Sequence, residues 1–73
     1  MDEYENLVEE IVDHRRIGDT TSLKDIDFRV RWQGLGPEED TWHPYMEMTR
    51  KGGLQAFWDY VEKHPELKIR RKI

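Results

Sequence analysis

Phe28-Arg29-Val30-Arg31-Trp32-Gln33-Gly34-Leu35 is the stretch that decides how this chain folds. Apolar side chains at 28, 30 and 32 alternate with arginines at 29 and 31. That is the period-two pattern of a strand with one face on a core and the other in water. Gly34, Gly36 and Pro37 then make a turn. Downstream, Thr41-Trp42-His43 reads as a short strand closed by Pro44. Upstream, Leu7-Val8-Glu9-Glu10-Ile11-Val12 is rich in β-branched residues and reads as the first strand. Its alternation is broken, because Val8 and Val12 share one parity and Leu7 and Ile11 the other. Two-sided burial or a bulge near Glu9–Glu10 reconciles them. The connection from Arg15 to Asp27, with its polar turn from Gly18 to Ser22, is long for a hairpin. An extended, mobile loop or a stretched hairpin tip is expected there.

A helix comes last. Leu54, Phe57, Trp58 and Val61 stand at i, i+3, i+4 and i+7, giving one apolar stripe. Gly52 and Gly53 are poor helix formers and are placed at its start, and Pro65 after His64 ends it. The stripe has only the sheet to pack on, so the fold class is α+β, three strands covered by a C-terminal helix. Val8, Ile11, Val30, Trp42, Pro44 and the stripe are assigned to the core. On that assignment Trp42→Ala costs about 3–5 kcal/mol. Tyr60 falls off the stripe and is read as exposed. Trp32 shares the parity of Phe28 and Val30, which favours burial, yet at a strand end one ring face can stay open.

Length and composition narrow the function. At 73 residues the chain is one domain at most. It has no cysteine, hence no disulfide framework and no thiolate metal site. No apolar run approaches the ~18 residues of a membrane span, and the acidic start lacks the shape of a signal peptide. Three tryptophans argue against a disordered chain. One serine, no glycine-rich phosphate cradle and no histidine paired with a nucleophile argue against an enzyme. His14, His43 and His64 are too scattered for a metal site and read as surface imidazoles. No cofactor is expected.

Charge is unevenly placed. Lys68, Arg70, Arg71 and Lys72 form a basic C-terminus, and setting those four cations aside leaves −8 against the net −4. Asp2, Glu3, Glu5, Glu9, Glu10 and Asp13 stand at the N-terminus, and Glu38-Glu39-Asp40 form a second acidic run. The body attracts cationic partners and repels phosphate. The tail is a weak nucleic-acid contact or the start of a linker. Arg29 and Arg31 are assigned to the wet face of their strand.

The ordered set Val8-Glu9-Glu10-Ile11-Val12-Asp13, Trp32-Gln33-Gly34 and Glu39-Asp40-Thr41-Trp42-His43-Pro44, followed by an aromatic helix, resembles a chromodomain over roughly residues 6–64. The resemblance implies a curled antiparallel three-stranded sheet, related to SH3-like barrels, with the helix across one end. It divides the chain into an acidic segment 1–5, the chromodomain 6–64 and a basic tail 65–73. It also implies a nuclear module, part of a larger protein, that reads histone tails. An extended basic peptide, such as a histone H3 tail, is taken up as an added strand. A methylated lysine sits among aromatic rings that hold its charge by cation–π attraction.

Residue by residue, one cage position of the family falls on Trp32, and the other two fall on Asn6 and Leu35. Tyr4, on the strand parity of Asn6, is the ring that can stand in for it, and Tyr45 is the other spare aromatic. The acidic cage residue falls on Glu39. Val8, Glu38 and Asp40 are placed along the peptide groove, the acids pairing with Arg or Lys of the tail. With its cage incomplete, the chain resembles the chromodomains at the integrase ends of long-terminal-repeat retroelements, or a divergent copy from a chromatin protein. A member that has lost histone reading would act as a module for non-histone proteins or nucleic acid.

Overall fold

The computed structural model describes residues 7–18 and 22–69. Three antiparallel strands form one sheet in the order β1-β2-β3: β1 Val8–Arg16, β2 Ile26–Trp32 and β3 Thr41–Pro44. A single helical turn, α1 Tyr45–Met48, follows β3, and the main helix, α2 Gln55–Glu62, packs against β1. Short 3₁₀ turns at Leu23–Asp25, Pro37–Glu39, Arg50–Gly52 and Pro65–Leu67 join or follow these elements.

β2 is the centre of the sheet. Its inner row, Ile26, Phe28 and Val30, is completely buried, while Asp27, Arg29 and Arg31 face the other way. β1 crosses β2 with two irregularities of register, one between Val8 and Glu10 and one between Ile11 and Asp13. Each inserts one extra residue, so the inward positions fall every third residue at Val8, Ile11 and His14 rather than every second. The broken parity of this strand is therefore explained by bulges, which also sharpen its curl.

The hairpin between β1 and β2 is stretched. β1 runs past its last apolar residue to Arg16, β2 already begins at the buried Ile26, and Ile17 N–H donates to Asp25 O at 2.7 Å. Of the expected polar turn, residues 19–21 lie outside the described residues.

The path from β3 to α2 has no apolar periodicity, yet it supplies Met48, which is fully buried. Lys51, Gly52 and Gly53 all have positive φ, at 55°, 92° and 90°. Gly52 and Gly53 thus reverse the chain ahead of the helix instead of starting it. Gly53 is required twice over: a Cβ there would sit 2.8 Å from Trp58 Cε2. The Trp58 indole N–H closes the reversal by donating to Gly52 O at 2.9 Å.

Four expectations change. Trp42 is not in the core. It pairs with Arg29 on the outer face, half-buried, with the Arg15 guanidinium 4.3 Å above its ring. Trp58 is only half-buried at the core's margin, and Pro44 is exposed. Tyr60 is buried, because α2 turns Phe57, Tyr60 and Val61 inward together. Its ring lies 6.3 Å from Phe28, which in turn meets Phe57 edge-on at 5.0 Å. Leu67 and Ile69 are also buried, so the packed residues continue past Pro65.

These placements predict unequal penalties. Phe28→Ala should cost about 3–5 kcal/mol, enough to unfold a domain this small. Trp42→Ala, which loses a half-exposed ring and one cation–π contact, should cost clearly less and leave the domain folded. Urea denaturation of the two variants checks the order. Equal losses would put Trp42 back in the core.

Candidate functional site

β1 is an edge strand. Its inner edge pairs with β2, and among the described residues no strand pairs with it on the other side. Beside it lies a cleft of about 590 Å³, bounded by Val8 to Val12 on one flank and by Leu54, Ala56, Tyr60 and His64 on the other. The bulged curl of β1 and the packing of α2 against that strand make this cleft. Glu9 and Glu10 on the strand and Asp59 on the helix are exposed around it, with Lys63 towards its far end.

Trp32 ends β2 opposite Val8, at the start of β1. Its ring is half-buried against the core. The indole N–H donates to Thr41 Oγ1 at 2.8 Å, and the His43 ring stands edge-on to it with centroids 5.8 Å apart. His43 is in turn bound to Thr41 and Glu47. Leu35, at 50% exposure, is open to solvent in the turn beyond Trp32. Tyr4 and Asn6 lie outside the described residues, as do Arg70, Arg71 and Lys72. Lys68 is exposed between two buried residues, Leu67 and Ile69, and belongs to the folded unit. Tyr45 packs against the core, 6.1 Å from Phe57.

The acidic run divides. Glu38 and Glu39 are exposed in the 3₁₀ turn before β3. Asp40 is different: its side chain is only 2% exposed and is held by two arginines. Arg29 Nε donates to it at 2.8 Å, and Arg31 donates from Nε and NH2 at 2.6 and 2.9 Å. Asp40 therefore leaves the set of groove acids, and Arg29 and Arg31 do not simply face water. The hydrogen bond from Arg31 comes first among the causes that hold the Asp40 carboxyl below the usual carboxylate range, and Arg29 adds to it. The same bond raises the Arg31 guanidinium, with Glu10 and Glu9 assisting. The clue in the sequence is that two arginines on one face of a strand need a counter-charge.

The histidines also regroup. His14 and Tyr60 share a hydrogen bond of 2.6 Å, and His64 stacks on Tyr60 at 3.9 Å between centroids. His14 and His64, both half-buried, are thus packed around one buried phenol at the end of the cleft and are not surface imidazoles. Nothing in their separation of fifty positions signals it. Among the described residues no group of three possible ligands is arranged to hold a metal ion, and no helix is long and apolar enough to cross a membrane.

The three-stranded antiparallel sheet with its open first edge and covering helix makes a small α+β domain. The Chromo (chromatin organisation modifier) domain profile matches residues 6–60, and the chain belongs to the chromodomain family, whose members are chromatin-binding modules. It is 41% identical over 63 residues, 85% of the chain, to the chromatin-associated protein SWI6 of Cryptococcus neoformans var. grubii. It is also 43% identical over 44 residues, 60% of the chain, to DNA (cytosine-5)-methyltransferase 3 of Zea mays. The match spans 25% of the first relative's length and 5% of the second's. No solved structure matches.

Two pH effects follow. Asp40 is depressed in the folded state, so its contribution is present above its unfolded value of about 3.9 and disappears as pH falls through the lower folded one. Asp40→Asn should lower the urea midpoint at neutral pH and flatten its acid limb. Burial, with Asp13 and Glu66 nearby, pushes the Tyr60 phenol up to about 12 from 10.0. The folded state then resists ionisation that the unfolded chain accepts. Stability should be unaffected by this group below pH 10 and should fall as pH rises from there to about 12. Tyr60→Phe should remove that alkaline limb.

Proposed function

We propose that this domain captures an extended basic peptide, a histone tail in the nucleus, by adding it as a strand to the open edge of β1. The observation that carries this reading is that edge itself, unpaired among the described residues and fronting the cleft. An added strand satisfies the edge's main-chain groups, which supplies affinity independent of sequence. Val8 and Ile11 are buried and hold the edge in place, while Glu9 and Glu10 are exposed beside it and favour Lys and Arg of the incoming tail. Glu38 and Glu39 extend the acidic approach. Such charges steer association and orient the ligand more than they add affinity.

Trp32 is the wall offered to a methylated lysine. It ends β2 opposite Val8, at the start of β1 and one strand in from the open edge. Tyr4 is the ring proposed to face it, Leu35 bounds the turn side, and Glu39 is the acid proposed for the pocket. One of the relatives is a chromatin-associated protein, which agrees with a role in chromatin targeting. The net charge of −4 disfavours nucleic acid as the main ligand.

Titration of the ¹⁵N-labelled chain with histone H3 tail peptides, with and without trimethyl-lysine, tests the reading. Resonances of Leu7 to Val12 and of Leu54 to Ala56 should move. Trp32→Ala should weaken the methylated peptide by about 30-fold, since a desolvated cation–π contact contributes about 2 kcal/mol, and should leave the unmodified peptide nearly unchanged. Shifts confined to the outer face, at Arg29 and Trp42, would exclude the edge as the docking surface.

A further inference from the structure

We infer that Thr41, His43 and Glu47 form a one-way hydrogen-bond relay that positions the Trp32 indole. This inference rests on the role just given to Trp32 and deepens it. The three residues come from β3 and the turn after it, and all converge on the last residue of β2. Thr41 and His43 pair with Val30 and Phe28 across the sheet, which puts them on the inner face with Trp32, while Trp42 between them points outward.

The direction of the relay follows from donor and acceptor capacity. An indole nitrogen only donates, so Trp32 Nε1–H gives its proton to Thr41 Oγ1, at 2.8 Å. At the other end the His43 Nδ1 faces the Glu47 carboxylate, which only accepts. Nδ1 therefore carries a proton. In the neutral ring Nε2 is then bare and must accept, and the group facing it at 2.6 Å is the Thr41 hydroxyl. Thr41's single proton is committed to His43, which leaves a lone pair turned to Trp32. Each link thus dictates the polarity of the next, from Glu47 to the indole.

The consequence is a ring that is held before any ligand arrives. The His43 ring stands at 74° to the indole, so its edge limits rotation from one side while the hydrogen bond limits it from another. A wall fixed in this way meets an incoming ammonium without first losing rotamer freedom, which is where preorganisation gains affinity. His43 and Glu47 are positioning residues on this account, acting through Thr41.

Three forms of the chain separate the relay from general stability: wild type, Thr41→Ser, which keeps the hydroxyl, and Thr41→Val, which keeps the shape and loses it. The readouts are the Trp32 indole N–H resonance, nuclear Overhauser contacts that report its rotamer, the His43 tautomer from ¹⁵N shifts, and affinity for the trimethyl-lysine peptide. His43 should be the Nδ1–H tautomer in wild type. Thr41→Val should shift the indole resonance, broaden its rotamer distribution and weaken the peptide about fivefold, the worth of one such hydrogen bond. Thr41→Ser should restore all three. An indole resonance and rotamer unchanged in Thr41→Val, or a His43 protonated only at Nε2, would overturn the relay. A wild-type chain that shows the relay signatures and binds no tail peptide would instead overturn the function proposed above, and the positioning role with it.

Discussion

The two bulges of β1 are the constraint on which the rest depends. A regular strand opposite β2 would bring every second residue inward, and Val8 and Ile11 could not both reach the core from one face. With one residue added in each of two places, Val8, Ile11 and His14 all point inward. The strand thereby curls around α2 instead of lying flat beside it. A flat edge strand is a hazard, open to any other unpaired strand. A bulged one twists and presents only a short, shaped edge. The cleft between β1 and α2 is the direct result.

Charge follows the same division between what the fold consumes and what it leaves available. Asp40 lies with Glu38 and Glu39 in the chain, yet its carboxylate is spent on Arg29 and Arg31. That pairing ties the turn before β3 to the outer face of β2, so it fixes where β3 begins. Thr41, next in sequence, is brought to Trp32 by the same tie. A groove acid would have been a loss here, because two arginines on one strand face would then lack a partner. Glu9 and Glu10 play the other part. Both act on Arg31 at a distance, but their side chains remain exposed at the edge.

The sequence carries its strands and its family openly, because short-range patterns survive translation into structure. Phe28 and Val30 alternate, and both are completely buried. The stripe at Leu54, Phe57 and Val61 is the buried side of α2. Legibility fails where burial depends on the path between elements. Tyr60 stands one position off the stripe and is nonetheless inward, because on the folded helix its ring, like that of Phe57, meets Phe28 edge-on. Trp42 was assigned inward by size, yet strand parity sets it against Arg29. Met48, Leu67 and Ile69 lie in stretches with no period at all, and only the reversal at Lys51 to Gly53 and the turn at Pro65 bring them home. Strand pattern puts Trp32 and Val8 on strands that pair, and there they stand opposite each other. The partners of Trp32 are not legible in this way, since a hydrogen bond between a strand end and the strand after a turn leaves no spacing rule behind.

A domain with so few buried residues cannot afford a large rigid pocket, and this shapes how it can recognise a ligand. Main-chain pairing along β1 needs no pocket, only an edge anchored by Val8 and Ile11. In the function proposed above, discrimination comes from one or two side chains, with Trp32, opposite the first residue of β1, as the large ring. An aromatic wall works for a cation only if its face is already set when the ligand arrives, because each rotamer frozen on binding subtracts from a small total. In a large protein a deep core would lock the ring. Here the ring is half out of the core, and polar contacts must do what packing cannot. Thr41 and His43, set on the inner face by the register of β3 and stopped by Glu47, are the groups placed to do so.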